Sequence, residues 1–259
     1  MLFVYWGRRV GGNDARLLPT RAGTSGKGGI IINNNMVVAG GEPRWNAQLG
    51  VWEGNAANLG TKGVPSPLWI FGYGSLCWKA DFPAEEQFVG RVSGWRRLFA
   101  QGSTDHRGTP AAPGLVATLL TDEQCETLRL RTPGEPASTC CGVCYRVGEA
   151  DVEGVLGNLD FREKGGYTRD IVEVTPSEPG RPAVRALLYT ANPENPNFRP
   201  PSADGGLEAT AAVIAAARGP SGDNAEYLLK LADFLESVGE RDEHVEGLAA
   251  LVRRSQGQE

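Results

Sequence analysis

The sequence predicts an α+β fold, and three observations carry that reading. Strand-like segments fill the chain from Pro67 to Ala191, and helical periodicity dominates from there to Arg254. Strands first and helices last point to an α+β domain with a mixed or antiparallel sheet. The 41% hydrophobic content over 259 residues is enough to build a core.

The elements follow in order. "PLWIFGY" (67–73) is apolar and aromatic enough for a strand, and "QFVGRVSGWRRLFAQ" (87–101) reads as one or two strands with a glycine bend. "GLVATLLT" (114–121) suits a buried strand, whereas "TLRLRTPGEPAST" (127–139) reads as an inserted loop closed by Pro133-Gly134. "CCGVCYRV" (140–147) is again strand-like. The period then changes: Val152, Val155, Leu156 and Leu159 fall at i, i+3, i+4, i+7, one face of a helix. "YTRDIVEVTP" (167–176) alternates and stops at Pro176, and "AVRALLYTA" (183–191) is a further strand. Helices are expected over 206–218, 223–238 and 243–254, with "RGPSGDN" as a break; Tyr227, Leu228, Leu231, Phe234 and Leu235 form the apolar stripe of the second.

Residues 1–66 differ in texture. They are rich in Gly and Asn and have no sustained period, and through Gly40 they carry one acid, Asp14, against five basic residues. A disordered extension is expected there, with the folded domain over 67–255. An organelle transit peptide, or upstream sequence ahead of a start at Met36, are the alternatives.

Composition excludes several classes. The net charge of −5 and pI of about 5.3 argue against a nucleic-acid binder, which carries a basic face. No apolar run reaches the length of a membrane span. Five cysteines, three of them at 140, 141 and 144, do not make the framework of a small secreted scaffold, so a reducing, cytoplasmic compartment is expected. Cys141-Gly-Val-Cys144 lies in a strand-like run, where the two side chains point to opposite faces. With only His106 and His244 in the chain, a zinc site lacks ligands, and buried small hydrophobes are the expectation for the thiols.

Three stretches carry candidate chemistry. Gly72-Tyr73-Gly74-Ser75 interrupts an apolar strand. Cys77 stands where a dinucleotide fingerprint needs its third glycine, so the turn is either purely structural or a loop whose backbone N–H groups meet a ligand. Ser103-Thr104-Asp105-His106-Arg107-Gly108 contains the residue types of a catalytic triad, but neighbours in sequence cannot form the relay, and a hydrogen-bonded polar loop is expected. His244, in a charged helix start, is expected to be solvated. In Leu159-Asp160-Phe161-Arg162-Glu163-Lys164-Gly165-Gly166-Tyr167 an amphipathic helix ends on a double-glycine C-cap. Lys164 suits the helix C-terminus, but Asp160 and Glu163 oppose its dipole. Either ion pairs with Arg162 or Lys164 retain them, or a carboxylate is aimed into a cleft as a general base.

"FGYGSLCW", "QGSTDHRG", "LDFREKGGY" and "GPSGDNAEYL" occur in that order, and together they closely resemble the ChaC-type γ-glutamylcyclotransferases, the glutathione-specific branch, over roughly Pro67 to Arg254. The resemblance implies a γ-glutamylcyclotransferase-like fold, a barrel-like sheet with flanking helices. It implies cleavage of glutathione to 5-oxoproline and cysteinylglycine without cofactor or metal. Glu163 is then the proton acceptor, and Ile70, Phe71, Gly72, Tyr73, Gly74, Ser75 and Leu76 form the substrate loop. Tyr167 is expected to line the pocket and Arg97 to contact substrate. A broader γ-glutamyl amino acid or amine cyclotransferase, and a catalytically inactive γ-glutamyl-binding protein, are the competing readings. Three departures stand out: Cys77 replaces an aliphatic residue, the 124–139 stretch is longer than in short members, and residues 1–66 have no counterpart in them.

Overall fold

A computed structural model describes residues 44–46, 51–53, 63–162, 167–191, 193–201 and 205–257. Most of the extension expected at 1–66, and the double-glycine cap at 165–166, lie outside them. Within the first 66 residues, β1 (Arg44–Asn46) and β2 (Val51–Glu53) form a short antiparallel ladder.

Nine further strands and five α-helices make up the rest of the described chain. They are β3 (Trp69–Gly72), β4 (Glu86–Ser93), β5 (Trp95–Ser103), β6 (Gly114–Thr121), α1 (Asp122–Thr127), β7 (Thr139–Arg146), α2 (Val152–Arg162), β8 (Tyr167–Pro176) and β9 (Val184–Ala191), followed by α3 (Gly206–Ala216), β10 (Arg218–Gly219), β11 (Gly222–Asp223), α4 (Asn224–Ser237) and α5 (Glu243–Ser255). Five strands close a barrel in the order β3-β7-β4-β8-β9. All neighbours are antiparallel except β3 and β9, which meet in parallel at Ile70 and Leu187, so the sheet is mixed. Gly94, at φ +79, turns β4 into β5, a backbone region open to glycine. β5 and β6 form a separate antiparallel pair with a bulge between Phe99 and Gln101, tied to the barrel where the Ala191 N–H donates to Thr118 Oγ1 at 3.0 Å.

The unbroken apolar run of β3 has a clear cause. Ile70 faces a cluster with Val155, Leu156, Leu159 and Leu187, which seats the apolar face of α2. Phe71 faces the larger core, shared with Phe99, Leu119, Leu188 and the α4–α5 residues Leu228, Leu231, Leu248 and Val252. A strand buried on both faces needs no polar alternation. All five cysteines are buried free thiols, and burial pushes those of Cys141 and Cys144 up to about 12, so they behave as small hydrophobes.

The loop expected at 127–139 is present, and ahead of it Thr121 and Gln124 form a reciprocal capping box that starts α1, a helix the periodicity did not predict. Buried Arg131, paired with Asp122 and donating to the Pro136 carbonyl at 2.9 Å, anchors the loop. One local expectation is corrected: His244 is not solvated. It is half-buried against Phe99, and its Nε2 accepts the Phe99 backbone N–H at 2.9 Å, which requires a neutral ring.

Burial lowers the His244 pKa from 6.5 to about 4, in the presence of Asp242, which pulls it the other way. The unfolded chain therefore binds a proton that the fold refuses, and stability falls as pH drops from about 6.5 towards 4. His244→Gln is expected to remove on the order of 2 kcal/mol of that acid loss. Urea denaturation of both proteins across this range checks it; parallel curves would refute the assignment.

Candidate functional site

The end of β3 and the turn after it open onto a cavity of about 820 Å³. Ile70, Phe71, Gly72, Tyr73, Gly74, Ser75 and Leu76 all line it. After Gly72 the chain enters a single 3₁₀ turn, Ser75–Cys77, closed by the Cys77 N–H on the Gly74 carbonyl at 2.9 Å. Both glycines are there for space. A Cβ on Gly72 would lie 2.3 Å from the Leu76 Cβ, because the turn folds back over the strand end. A Cβ on Gly74 would lie 2.6 Å from the Tyr227 hydroxyl, which reaches in from α4.

Arg97 holds this turn from behind. Its guanidinium is buried and donates from Nε to the Tyr73 carbonyl at 3.1 Å and from Nη1 to Asp242 at 2.8 Å. Nη2 meets Cys140 Sγ at 3.2 Å and the Cys141 carbonyl. Arg97 is not among the residues that line the cavity. Its expected contact with substrate is therefore corrected to a contact with the loop: the charge is used up inside the protein, on β7, α5 and the turn.

The second wall comes from Gln101–Arg107, at the end of β5, and from the β10–β11 hairpin with α4. Ser103 Oγ accepts the Arg107 N–H at 3.0 Å, the hydrogen-bonded loop that the residue types suggested and not a triad. Arg107 donates from Nη1 to the Asp223 carbonyl at 2.9 Å and to Glu226 at 3.0 Å, with its guanidinium 5.7 Å from the Tyr227 ring centre. Lys230 at 2.6 Å, together with Arg107, holds the Glu226 carboxyl below the usual carboxylate range. Glu226 is thus an ionised partner of two cations.

Leu159 of α2, Tyr167 at the start of β8 and Tyr189 of β9 form the third wall. Tyr167 lies where the sequence placed it, at the cavity. Glu163 lies outside the described residues, between these two lining positions in the chain. Asp160 is 2% exposed, and its described partners come from the barrel and not from its own helix end: Arg169 Nε at 2.9 Å and the Tyr189 hydroxyl at 2.7 Å.

Several lining residues escaped the sequence reading. Arg107, Glu226 and Lys230 lie within or beside the quoted motifs "QGSTDHRG" and "GPSGDNAEYL", which was the available signal. Tyr227 lies in the same motif but was read as part of a core stripe, and Tyr189 carried no local signal in its strand. The longer 124–139 stretch contributes nothing to the cavity wall. Among the described residues, no group of three or more His, Cys, Asp or Glu is placed to hold a metal ion, and no helix is long and apolar enough to cross a membrane.

The sequence profile described as ChaC-like protein matches residues 68–255. The chain is 40% identical to gamma-glutamylcyclotransferase 2-3 of Arabidopsis thaliana over 192 residues, 72% of this chain and 88% of that one. It is 42% identical to glutathione-specific gamma-glutamylcyclotransferase 1 of Homo sapiens over 194 residues, covering 73% and 79% of the two chains. The crystal structure of a gamma-glutamyl cyclotransferase specific to glutathione from yeast superposes with a TM-score of 0.64 at 29% identity, over 72% of this chain and 96% of that one.

Gly74→Ala is expected to cost about 1–3 kcal/mol by overpacking against the Tyr227 hydroxyl. Adding Tyr227→Phe removes the clashing atom, so the double variant should recover part of that loss. Denaturant midpoints of the four proteins test this, and strictly additive losses would rule out the contact as the reason for the glycine.

Proposed function

The chain belongs to the ChaC-like protein family, and from that premise we propose that it cleaves glutathione by intramolecular aminolysis, releasing 5-oxoproline and cysteinylglycine. The observation that carries this reading is the Ile70–Leu76 loop, all of whose residues line one cavity together with Leu159 and Tyr167, on either side of Glu163 in the chain.

The substrate's own α-amine attacks its γ-carbonyl, a C–N bond forms to close a five-membered lactam, and the bond to the cysteinylglycine nitrogen breaks. Nucleophile, electrophile and leaving group belong to one molecule, so the chemistry calls for no cofactor, and the protein's task is to fold the glutamyl arm into attack geometry. The amine is an ammonium at neutral pH. A base must take its proton, and an acid must deliver one to the leaving nitrogen. Glu163 is our assignment for both steps. A carboxylate with an ordinary pKa of about 4.3 suits an amine poorly, so partial burial is expected to raise it. Of the carboxylates at or beside the cavity, Glu226 is committed to Arg107 and Lys230 and Asp160 to Arg169 and Tyr189; Asp81 and Asp105 also line the cavity. The backbone of Tyr73–Ser75 would hold the tetrahedral oxyanion or the substrate's α-carboxylate. Losing an oxyanion donor typically costs about 3 kcal/mol. Tyr167 would line the γ-glutamyl end. A reducing compartment such as the cytoplasm keeps both the substrate thiol and five free cysteines reduced.

Glu163→Gln keeps the shape and removes the base. We expect 5-oxoproline formation to fall by at least about 10²-fold while glutathione still binds, as read by product chromatography and calorimetry. Near-normal turnover would remove Glu163 from the role. Wild-type protein should also turn over glutathione well ahead of γ-glutamyl-alanine; equal rates would favour the broader specificity, and no product from either would favour a ligand-binding role.

A further inference from the structure

Asp160 and Arg169 form a buried ion pair that the proton chemistry above does not use. Their side chains are 2% and 8% exposed. Asp160 is on α2 and Arg169 on β8, so the pair joins the element before Glu163 to the element after it. Arg169 donates to both carboxylate oxygens, from Nε at 2.9 Å and from Nη2. Its neighbour across the β8–β9 ladder is Tyr189. The Tyr189 hydroxyl donates to Asp160 at 2.7 Å and accepts from Arg169 Nε at 3.1 Å, and the guanidinium sits 5.7 Å from the ring centre. Burial, with the Asp160 hydrogen bond, raises the Tyr189 pKa far above its ordinary value, so this hydroxyl remains a donor. Tyr189 lines the cavity, and its backbone carbonyl accepts the Tyr73 hydroxyl of the proposed substrate loop at 2.8 Å. One connected path thus runs from the loop through Tyr189 to the pair that ties α2 to β8.

A buried ion pair gives little net stability compared with an apolar pair of the same size, so stability alone is a weak reason for it. Its directional bonds instead hold a tyrosine ring at one angle on the cavity wall. We propose that the Asp160–Arg169 pair is a positioning device for the cyclisation: it holds the Tyr189 wall and, through it, Tyr73 in the middle of the substrate loop at the spacing the folded γ-glutamyl arm requires. These residues act through Tyr189 and not on the reacting atoms. The inference rests on the cyclotransferase reading above.

The device acts on the reactive geometry more than on capture of the tripeptide, so its loss should appear in kcat. Small misplacements cost an intramolecular attack up to about 10²-fold. The variants are Asp160→Asn, Arg169→Gln, the double Asp160→Asn/Arg169→Gln, Arg169→Lys and Tyr189→Phe, assayed on reduced glutathione beside wild type. Each single neutralisation strands a buried charge and can unfold the chain. The double variant removes both charges, and Tyr189→Phe strands none. In those two, folded by near-ultraviolet circular dichroism, we expect kcat to fall about 10- to 100-fold with KM within about threefold. Arg169→Lys, which keeps the charge, should retain more kcat than Arg169→Gln. Normal kcat in a folded double variant or in Tyr189→Phe overturns the proposal and leaves the function standing. So does a loss confined to KM. Wild-type protein that makes no 5-oxoproline overturns the functional reading, and this inference with it.

Discussion

One buried guanidinium holds the site together. Arg97 lies where the end of β3, strand β7 and the start of α5 converge, and it bonds to a carbonyl or carboxylate of each. A cation with almost no access to water is tolerable only when its donors are met, and a partner lost there typically costs about 3–5 kcal/mol. The Tyr73 carbonyl is one of those partners, so the position of the Ile70–Leu76 loop is part of the condition for burying the charge. Asp242 meets the same charge and also accepts the Val245 N–H at the start of α5, which binds the C-terminal helix to the loop without touching the cavity.

From that anchor the turn is built outward by close contact. Tyr227 of α4 passes its hydroxyl over Gly74 and presents its ring to Phe99, Trp78 and the Arg107 guanidinium. One side chain thus fixes the approach of a helix to both the loop and the opposite wall. On the far side the Tyr73 hydroxyl reaches the Tyr189 carbonyl, and Tyr189 leads to Asp160 and Arg169. The cavity is therefore rimmed by tyrosines, and the hydroxyls of Tyr73 and Tyr189 are bonded within the protein. Such a rim suits a reaction whose barrier is largely conformational.

Much of the fold was legible because the relevant signals are local. The α2 stripe of Val155, Leu156 and Leu159 is buried as its period required. Gly94 makes the bend between β4 and β5, and the α3–α5 helices lie within a few residues of their expected bounds. The α1 helix was also written locally, in Thr121 and Gln124, but its six residues are too short for a periodic stripe. His244 and Arg97 misled for a different reason. A charged or ionisable residue shows its type in the sequence but not what faces it. Phe99 and the Tyr73 carbonyl, which decide the two cases, are distant in the chain.

By itself the sequence determined the class of fold and the family, and it singled out the Ile70–Leu76 loop and the segment that carries the candidate base, because these are contiguous runs with their own pattern. Only the tertiary structure decided why that loop holds two glycines, that Arg97 faces inward, and that Asp160 pairs with Arg169 and Tyr189. These depend on atoms brought within 2–3 Å across as many as 145 positions of chain, as between Arg97 and Asp242. Spacing in sequence does not encode such distances; barrel closure and the packing of α4 and α5 impose them.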